Sequence, residues 1–519
     1  MNRDAYLDLL KTHDGYWDMV VIGGGATGLG CALDAASRGY KTLLVEQHDF
    51  AKGTSSRSTK LVHGGVHYLQ QGNVSLVLEA LHERGLLMCN APHLVQNQSF
   101  IVPNYEWWDG PFYGVGLKVY DLLAGRLGLG PSRWLSKSET LARIPTLEPQ
   151  RLRGSVVYHD GQFDDARMAV NLAQSVADAG GVPVNYMQVT GLNYSGKMID
   201  GVALKDRIDG QERHVRARVV INATGIFADD IIRLDQPTAK SIITHSQGIH
   251  IVLDKRFLKG ETAVMVPQTE DGRVLFAVPW HERVLVGTTD TPVAGASLEP
   301  RPLEEEIHFI LKHAARYMVD DPTRQDILCM FAGIRPLVGA VDGKKTAAIS
   351  RDHHLEVSQS GLVTITGGKW TTYRKMAEDA VNQAAMIAGL PENECRTRNL
   401  RIHGWLKHVD RRDPLGAYGS DAVFIRRIID AHPPMGQKMH PDLPYVGAEV
   451  VWAVRNEMAR SVEDVLSRRT RALILDAAAS MEMADETARL MAQELGCGPQ
   501  WQREQVLEFR RLAQNYLPD

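Results

Sequence analysis

The chain has 519 residues, of which 44% are hydrophobic and 23% charged, with a formal net charge of −4 and a pI near 6.6. That balance suits a globular protein of about three domains and gives no reason to expect nucleic-acid binding. Five scattered cysteines (Cys31, Cys89, Cys329, Cys395 and Cys497) lack any C-x-x-C spacing, which excludes a disulfide framework or cysteine metal site and points to a reducing compartment.

Acidic Asp4, Asp8 and Asp14 interrupt the N-terminus where a signal segment would need basic and then apolar residues. No apolar run reaches the roughly 18 residues of a membrane span. The expected location is therefore the cytoplasm, or a membrane face reached peripherally.

A strand over 18–22 leads into Gly23-x-Gly25-x-x-Gly28, then a helix, then a second strand over 41–45 that ends at Glu46. This is the layout of a dinucleotide site. Gly23 allows the tight turn, Gly25 lets backbone amides approach a pyrophosphate, and Gly28 lets helix and strand pack closely. Glu46 follows at the distance suited to a ribose hydroxyl. Ala26 and Thr27 complete the turn into the helix.

A polar loop, Thr54-Ser-Ser-Arg-Ser-Thr-Lys60, precedes a helix over 75–89. Residues 100–150 concentrate Trp107, Trp108, Phe112, Tyr113 and Tyr120. Past Pro111, Phe112, Val115, Gly116, Val119, Leu122 and Leu123 share one helical face. Leu117 and Tyr120 make the other side apolar too, a pattern that fits either a buried helix or one against lipid.

Helical periodicity returns over 164–176, and strands follow over 182–192 and 218–225. Short alternating runs at 249–253, 274–278 and 284–287, punctuated by Pro279 and Pro292, predict an antiparallel sheet. A strand over 362–366 runs through Gly367-Gly368-Lys369 into a helix ending near Leu390. His353-His354 reads as a surface turn. Beyond Cys395 the pattern is helical, broken by the proline-rich stretch 432–444. Arg468, Arg469 and Arg471 follow a capping pattern at Ser461–Asp464 and read as a solvated helix face. With no H-E-x-x-H and no glycine loop ending in Gly-Lys-Ser/Thr, no zinc or P-loop chemistry is expected, and no metal site.

Six segments together resemble the flavin-dependent, quinone-linked glycerol-3-phosphate dehydrogenases. They are Gly53-Thr-Ser-Ser-Arg-Ser-Thr-Lys-Leu-Val-His-Gly-Gly65, Ile221-Asn-Ala-Thr-Gly225, Ser246-Gln-Gly-Ile-His-Ile-Val252, Gly287-Thr-Thr-Asp-Thr291, Gly333-Ile-Arg-Pro-Leu337 and Gly367-Gly-Lys-Trp-Thr-Thr-Tyr-Arg-Lys375. The resemblance implies an α/β fold in three parts. A Rossmann-type FAD-binding domain would span 1–99, 151–240 and 331–392. An antiparallel-sheet substrate domain would span 100–150 and 241–330, and an all-helical C-terminal domain 393–519.

It also implies FAD held by Gly23, Gly25, Ala26, Thr27, Gly28, Glu46, Thr54, Ser55, Ser56, Lys60, Leu61, His63, Gly64, Gly65, Val189, Ala223, Thr224, Gly225, Gly368 and Lys369. Thr54, Ser55 and Ser56 offer hydroxyls and amides to a pyrophosphate that Lys60 would neutralise.

The implied reaction removes a hydride from the secondary alcohol of sn-glycerol 3-phosphate and sends the electrons on to a membrane quinone. Arg335 is the leading residue for the substrate, since a guanidinium fork suits phosphate or an alkoxide-like oxygen. Lys369 is a second cation for the substrate phosphate or the reduced ring. His63 is the first choice of base and His250 the second. Tyr68 would help to hold substrate.

One position departs from the family, which carries arginine where this chain has His67. A histidine cannot make a bidentate fork, so phosphate binding would weaken, or Arg57 would supply the missing charge, or the substrate would be another polyol phosphate. Two further alternatives stay open: an oxidase that uses oxygen, and a flavin-binding interaction protein without turnover. The partners implied are glycerol 3-phosphate or a similar polyol phosphate, a quinone and a membrane surface, with a homodimer left open.

Overall fold

The computed structural model describes residues 1–518 except 67–68, 70–72, 108, 268, 271–272 and 340–352. Two large sheets and a helical C-terminal region make up the described chain. In the first sheet the strand Tyr16–Ile22 is central, pairing in parallel with Thr42–Val45 on one side and Glu212–Asn222 on the other. Its last four residues are all buried, as a parallel strand covered on both faces requires. Helices Ala26–Ser37, Asp165–Asp178 and Tyr373–Ile387 share the apolar core on one face of the sheet.

Strand Val363–Gly367 extends this sheet beside Glu212–Asn222, and His353–Val357 closes its edge. The His353-His354 pair is therefore in a strand, not a surface turn. It pairs with Thr366 and Gly367, and each ring has a carboxylate neighbour, Asp379 for His353 and Glu356 for His354.

Among the described residues the second sheet has ten strands and is antiparallel apart from one pair, Ala263–Val266 with Gln96–Asn104. Its longest ladder joins Ile243–Asp254 to Ile327–Val338. Strand Gly154–Gln162 also belongs to this sheet, through its pairing with Gln96–Asn104. The sheet thus draws chain from both sides of the boundaries near residues 151 and 331, because its pairings are between distant strands that carry no local marker.

The C-terminal region packs helices Gly447–Asn456, Ala477–Leu495 and Pro499–Gln514 together, with a hairpin of Lys438–His440 and Leu443–Val446 in the proline-rich break. Its core takes in Trp280, Cys329 and Phe331 from the second sheet, so the helices seal the back of that sheet. Arg468, Arg469 and Arg471 are buried here, against the expectation of a solvated face. Each finds acidic partners on the first-sheet side: Asp49 for Arg468 and Arg469, and Asp165 for Arg471. Their spacing is that of a surface helix, but Asp464–Arg469 is π-helical and buries Arg468 and Arg469, and Arg471 follows it in a left-handed conformation.

Candidate active site

The carboxyl ends of the first sheet's parallel strands open onto one cavity of about 1160 Å³, where ligands of such sheets collect. Ile22, Glu46, Ala223 and Gly367 stand at those strand ends and line it. Gly23 turns the chain with a φ of +111°, which no residue with a side chain holds without strain. A Cβ on Gly28 would lie 1.9 Å from the Gly23 carbonyl oxygen, and one on Gly25 would lie 3.0 Å from Ser55 Oγ. The bare backbone of the turn is thus a packing requirement, and it fits the pyrophosphate of a dinucleotide.

Helix Ala26–Ser37 has no side-chain cap at its N-terminus, and the Ala26 amide donates to Ser55 Oγ at 2.9 Å. Glu46 accepts from the Gly24 amide at 2.6 Å and from the His48 amide at 2.8 Å. Burial pushes its carboxyl up while those two amides pull it down. Two oxygens, each with a lone pair to spare, remain for ribose hydroxyls.

Most predicted residues meet at this cavity. Gly23, Gly25, Ala26, Thr27, Thr54, Ser55, Arg57, Leu61, His63, Val189, Thr224, Gly225, Gly368 and Lys369 line it along with Glu46 and Ala223. Gly28, Ser56, Gly64 and Gly65 are not part of the lining. His67 and Tyr68 lie outside the described residues.

Lys60 corrects the expectation that it neutralises a pyrophosphate. Its ammonium is fully buried, donates to Asp165 at 2.7 Å and to the Ser56 carbonyl at 2.9 Å, and lies over the faces of Trp280 and Phe331. Burial is the largest influence on it and brings its pKa down to about 8. Arg57 reaches the cavity wall, yet its guanidinium is bound to Glu299 at 2.7 Å and lies over the Tyr516 ring.

The second sheet supplies His250 and Arg335, while Lys369 follows the first-sheet strand Val363–Gly367. His250 and Arg335 lie on paired neighbouring strands, in registers His250–Phe331 and Ser246–Arg335. Glycines hollow out the space for both: a Cβ on Gly248 would lie 2.3 Å from Arg335 Nη2, and one on Gly287 would lie 2.2 Å from His250 Cδ2. Arg335 donates to Thr288 Oγ1 at 3.1 Å and sits 3.5 Å from Asp290, which also accepts from Ser246.

His250 is stacked on Phe331, with Nε2 2.9 Å from Thr59 Oγ1. Burial, then Lys60 and Arg335, hold its pKa well below the usual value, so the ring is neutral at physiological pH. His63 lines the same cavity, with its ring 6.4 Å from that of Phe276.

Several residues escaped the sequence reading. Trp370 donates from its indole to the Ser55 carbonyl at 2.8 Å, and Thr59 holds His250. Both stand inside motifs quoted above, so their neighbours were the available signal. Asp165 and Arg471, which grip the Ser56–Lys60 stretch from behind, gave none.

The FAD dependent oxidoreductase family model matches residues 18–374, and that of the C-terminal domain of alpha-glycerophosphate oxidase matches 336–506. The human mitochondrial glycerol-3-phosphate dehydrogenase is 40% identical over 545 residues, covering 98% of this chain and 75% of that protein. Its Arabidopsis thaliana counterpart is 38% identical, covering 96% of this chain and 86% of that protein. Among solved structures, the glycerol-3-phosphate dehydrogenase of Bacillus halodurans, complexed with FAD, gives a TM-score of 0.80 at 27% identity, covering 99% of this chain and 97% of that one. The fold extends to the L-alpha-glycerophosphate oxidase of Mycoplasma pneumoniae, with a TM-score of 0.57 at 18% identity over 75% of this chain and 99% of that one.

Proposed function

Because the chain belongs to the FAD-dependent glycerol-3-phosphate dehydrogenases, we propose that it oxidises sn-glycerol 3-phosphate to dihydroxyacetone phosphate and delivers the electrons to a membrane quinone. The observation that carries this reading is convergence. Arg335, Lys369, His63 and His250 come from four distant segments, yet all line the cavity that the dinucleotide turn opens onto.

Bound FAD supplies the two-electron acceptor for the hydride on C2 of the substrate. The chain's own residues supply charge, orientation and a proton acceptor. Arg335 and Lys369 hold the phosphate or the oxygen that becomes the ketone. The Thr288 hydroxyl fixes the guanidinium while Gly248 leaves the room it occupies.

His63 takes the hydroxyl proton. His250 is less suited to that role: burial holds its pKa well below the usual histidine value, and Nε2 is engaged by Thr59. As a neutral ring it serves instead as a hydrogen-bonding group beside the reacting oxygen.

The membrane half of the proposal rests on helix Asp109–Ala124. Its inner side buries Leu117 and Tyr120, while Phe112, Val115, Val119 and Leu122 are exposed, the last at 80%. Exposed Trp107 lies nearby in the chain, and half-exposed Trp134 joins Val115, Val119 and Leu122 around a shallow apolar depression of about 390 Å³. Among the described residues no helix is long and apolar enough to cross a membrane. A stripe of this kind suits peripheral seating on the cytoplasmic face of a bilayer, where a quinone dissolves.

The test is anaerobic mixing of the yellow protein with sn-glycerol 3-phosphate while the flavin band at about 450 nm is followed. Bleaching at sub-millimolar substrate, followed by reoxidation with a soluble quinone analogue, is the expected result. Persistent colour with this substrate and bleaching with another polyol phosphate would overturn the substrate and implicate His67. Stoichiometric peroxide under air, with no response to quinone, would replace the dehydrogenase by an oxidase.

A further inference from the structure

The arginines that the C-terminal region buries against the first-sheet side carry an inference beyond the reaction itself. Arg471 follows the π-helical turn Asp464–Arg469 and takes a left-handed φ of 65°. A residue with a Cβ is held there only where its surroundings over-determine it.

Here the guanidinium is what is held. Nη1 donates to the Ser467 carbonyl of its own turn at 2.8 Å, while Nη2 donates to the Ser56 carbonyl at 2.8 Å and to Asp165 Oδ1 at 3.0 Å. Asp165 Oδ2 in turn accepts from the Ser58 amide at 3.0 Å, Ser58 Oγ at 2.7 Å and Lys60 Nζ at 2.7 Å. The loop of residues 53–60 is thus pinned from behind by one carboxylate and two cations, all at most 2% exposed at the side chain.

The front of the same loop is cavity wall. Gly53, Thr54, Ser55 and Ser58 line it, and Thr59 holds His250. Among the described residues that line the cavity, none lies beyond Thr371. Arg471 therefore acts on the cavity through the loop and not by contact.

We propose that Arg471 is a positioning residue of the active site, which holds the 53–60 loop through Asp165 and the Ser56 carbonyl in the shape that receives FAD. Docking of the C-terminal region and binding of the cofactor are then coupled, and the coupling is reciprocal. Removing the guanidinium leaves a buried carboxylate and a buried carbonyl short of a donor, and the loop relaxes to find others. The inference rests on the proposed function only for the name of the reaction; FAD affinity is read without substrate.

The experiment compares FAD dissociation constants, by quenching of free-flavin fluorescence, for apo wild type, Arg471→Met, Arg471→Lys and Arg167→Met. Arg167 is an equally buried arginine at the same junction, but its guanidinium donates to Glu457 and the Arg469 carbonyl instead of to the loop. The expected result is a dissociation constant raised roughly 5- to 150-fold in Arg471→Met. Arg471→Lys restores part of the loss, and Arg167→Met lowers the melting temperature with FAD affinity kept within about twofold.

Equal FAD affinity in Arg471→Met and wild type overturns the proposal, as does an equal loss in Arg167→Met. Hydrogen exchange on the wild type makes the same test if Arg471→Met does not fold. FAD should slow exchange across residues 461–475 although none of them lines the cavity, and no change there also overturns the proposal.

Discussion

The two ends of the cavity are built on different principles. At the Gly23–Gly28 end the wall is backbone: a turn with φ of +111°, a helix N-terminus whose first amide meets Ser55, and a single acid, Glu46. At the His250–Arg335 end the wall is side chains, each standing in a hollow that a glycine on a neighbouring strand provides. The first end is contiguous in sequence and tolerates no added atoms. The second is assembled from residues 63, 250, 335 and 369, of which Arg335 and Lys369 bring charge. Binding of a cofactor and turnover of a substrate should therefore be separable by mutation.

Gly28→Val gives the largest effect at the backbone end. With its first added carbon 1.9 Å from the Gly23 oxygen, helix and turn must part, and soluble protein should carry no flavin. Full flavin absorbance per mole of protein would break the comparison at once.

His63→Asn should do the reverse at the other end, keeping flavin content while anaerobic flavin reduction slows by roughly 10²–10⁴-fold. A slowing confined to His250→Asn would move the base to His250. Smaller still is Arg335→Lys, which keeps the charge and loses the fork. The loss is about 1.5–3 kcal/mol, appearing as a raised KM with flavin content unchanged.

His403 touches neither end and sharpens the contrast as a control. Its two nitrogens lie 2.6 Å from Asp178 and 2.9 Å from Asp421. Burial opposes its charge, but the two carboxylates outweigh that and raise its pKa to about 9. A folded-state pKa raised above the unfolded one gives stability that is full below about pH 6.5 and fades as pH rises through about 9. His403→Gln should lower stability by about 1 kcal/mol at pH 6, after allowance for partial exposure. The difference should vanish above pH 9, with flavin content and reduction rate untouched throughout. A melting-temperature difference that grows with pH would contradict this.

The same contrast explains what the sequence revealed. The dinucleotide turn was legible because its strand, turn, helix and acid are local and their spacing is geometric. Arg335, Lys369, His63 and His250 were legible only through motifs resembling a known family, since nothing local says that residues so far apart share a cavity.

Lys60 was misread for a related reason. A lysine in a polar loop looks free for phosphate, and its buried partner Asp165 lies more than a hundred residues away. The arginines of the C-terminal turn looked solvated because their pattern carries no sign of a π-helical twist or of Asp49. Long-range pairing of opposite charges decides both cases, and periodicity is silent about it.

Among the described tryptophans, Trp370 is the one whose indole donates to the 53–60 loop, through the Ser55 carbonyl, while its ring forms part of the cavity wall. An indole in the wall of the cavity that would hold FAD would pass its excitation to the flavin and go dark. The chain thus contains its own optical gauge: ultraviolet emission should brighten as FAD departs, with no label attached. Trp370→Phe should dim that change while leaving a yellow protein.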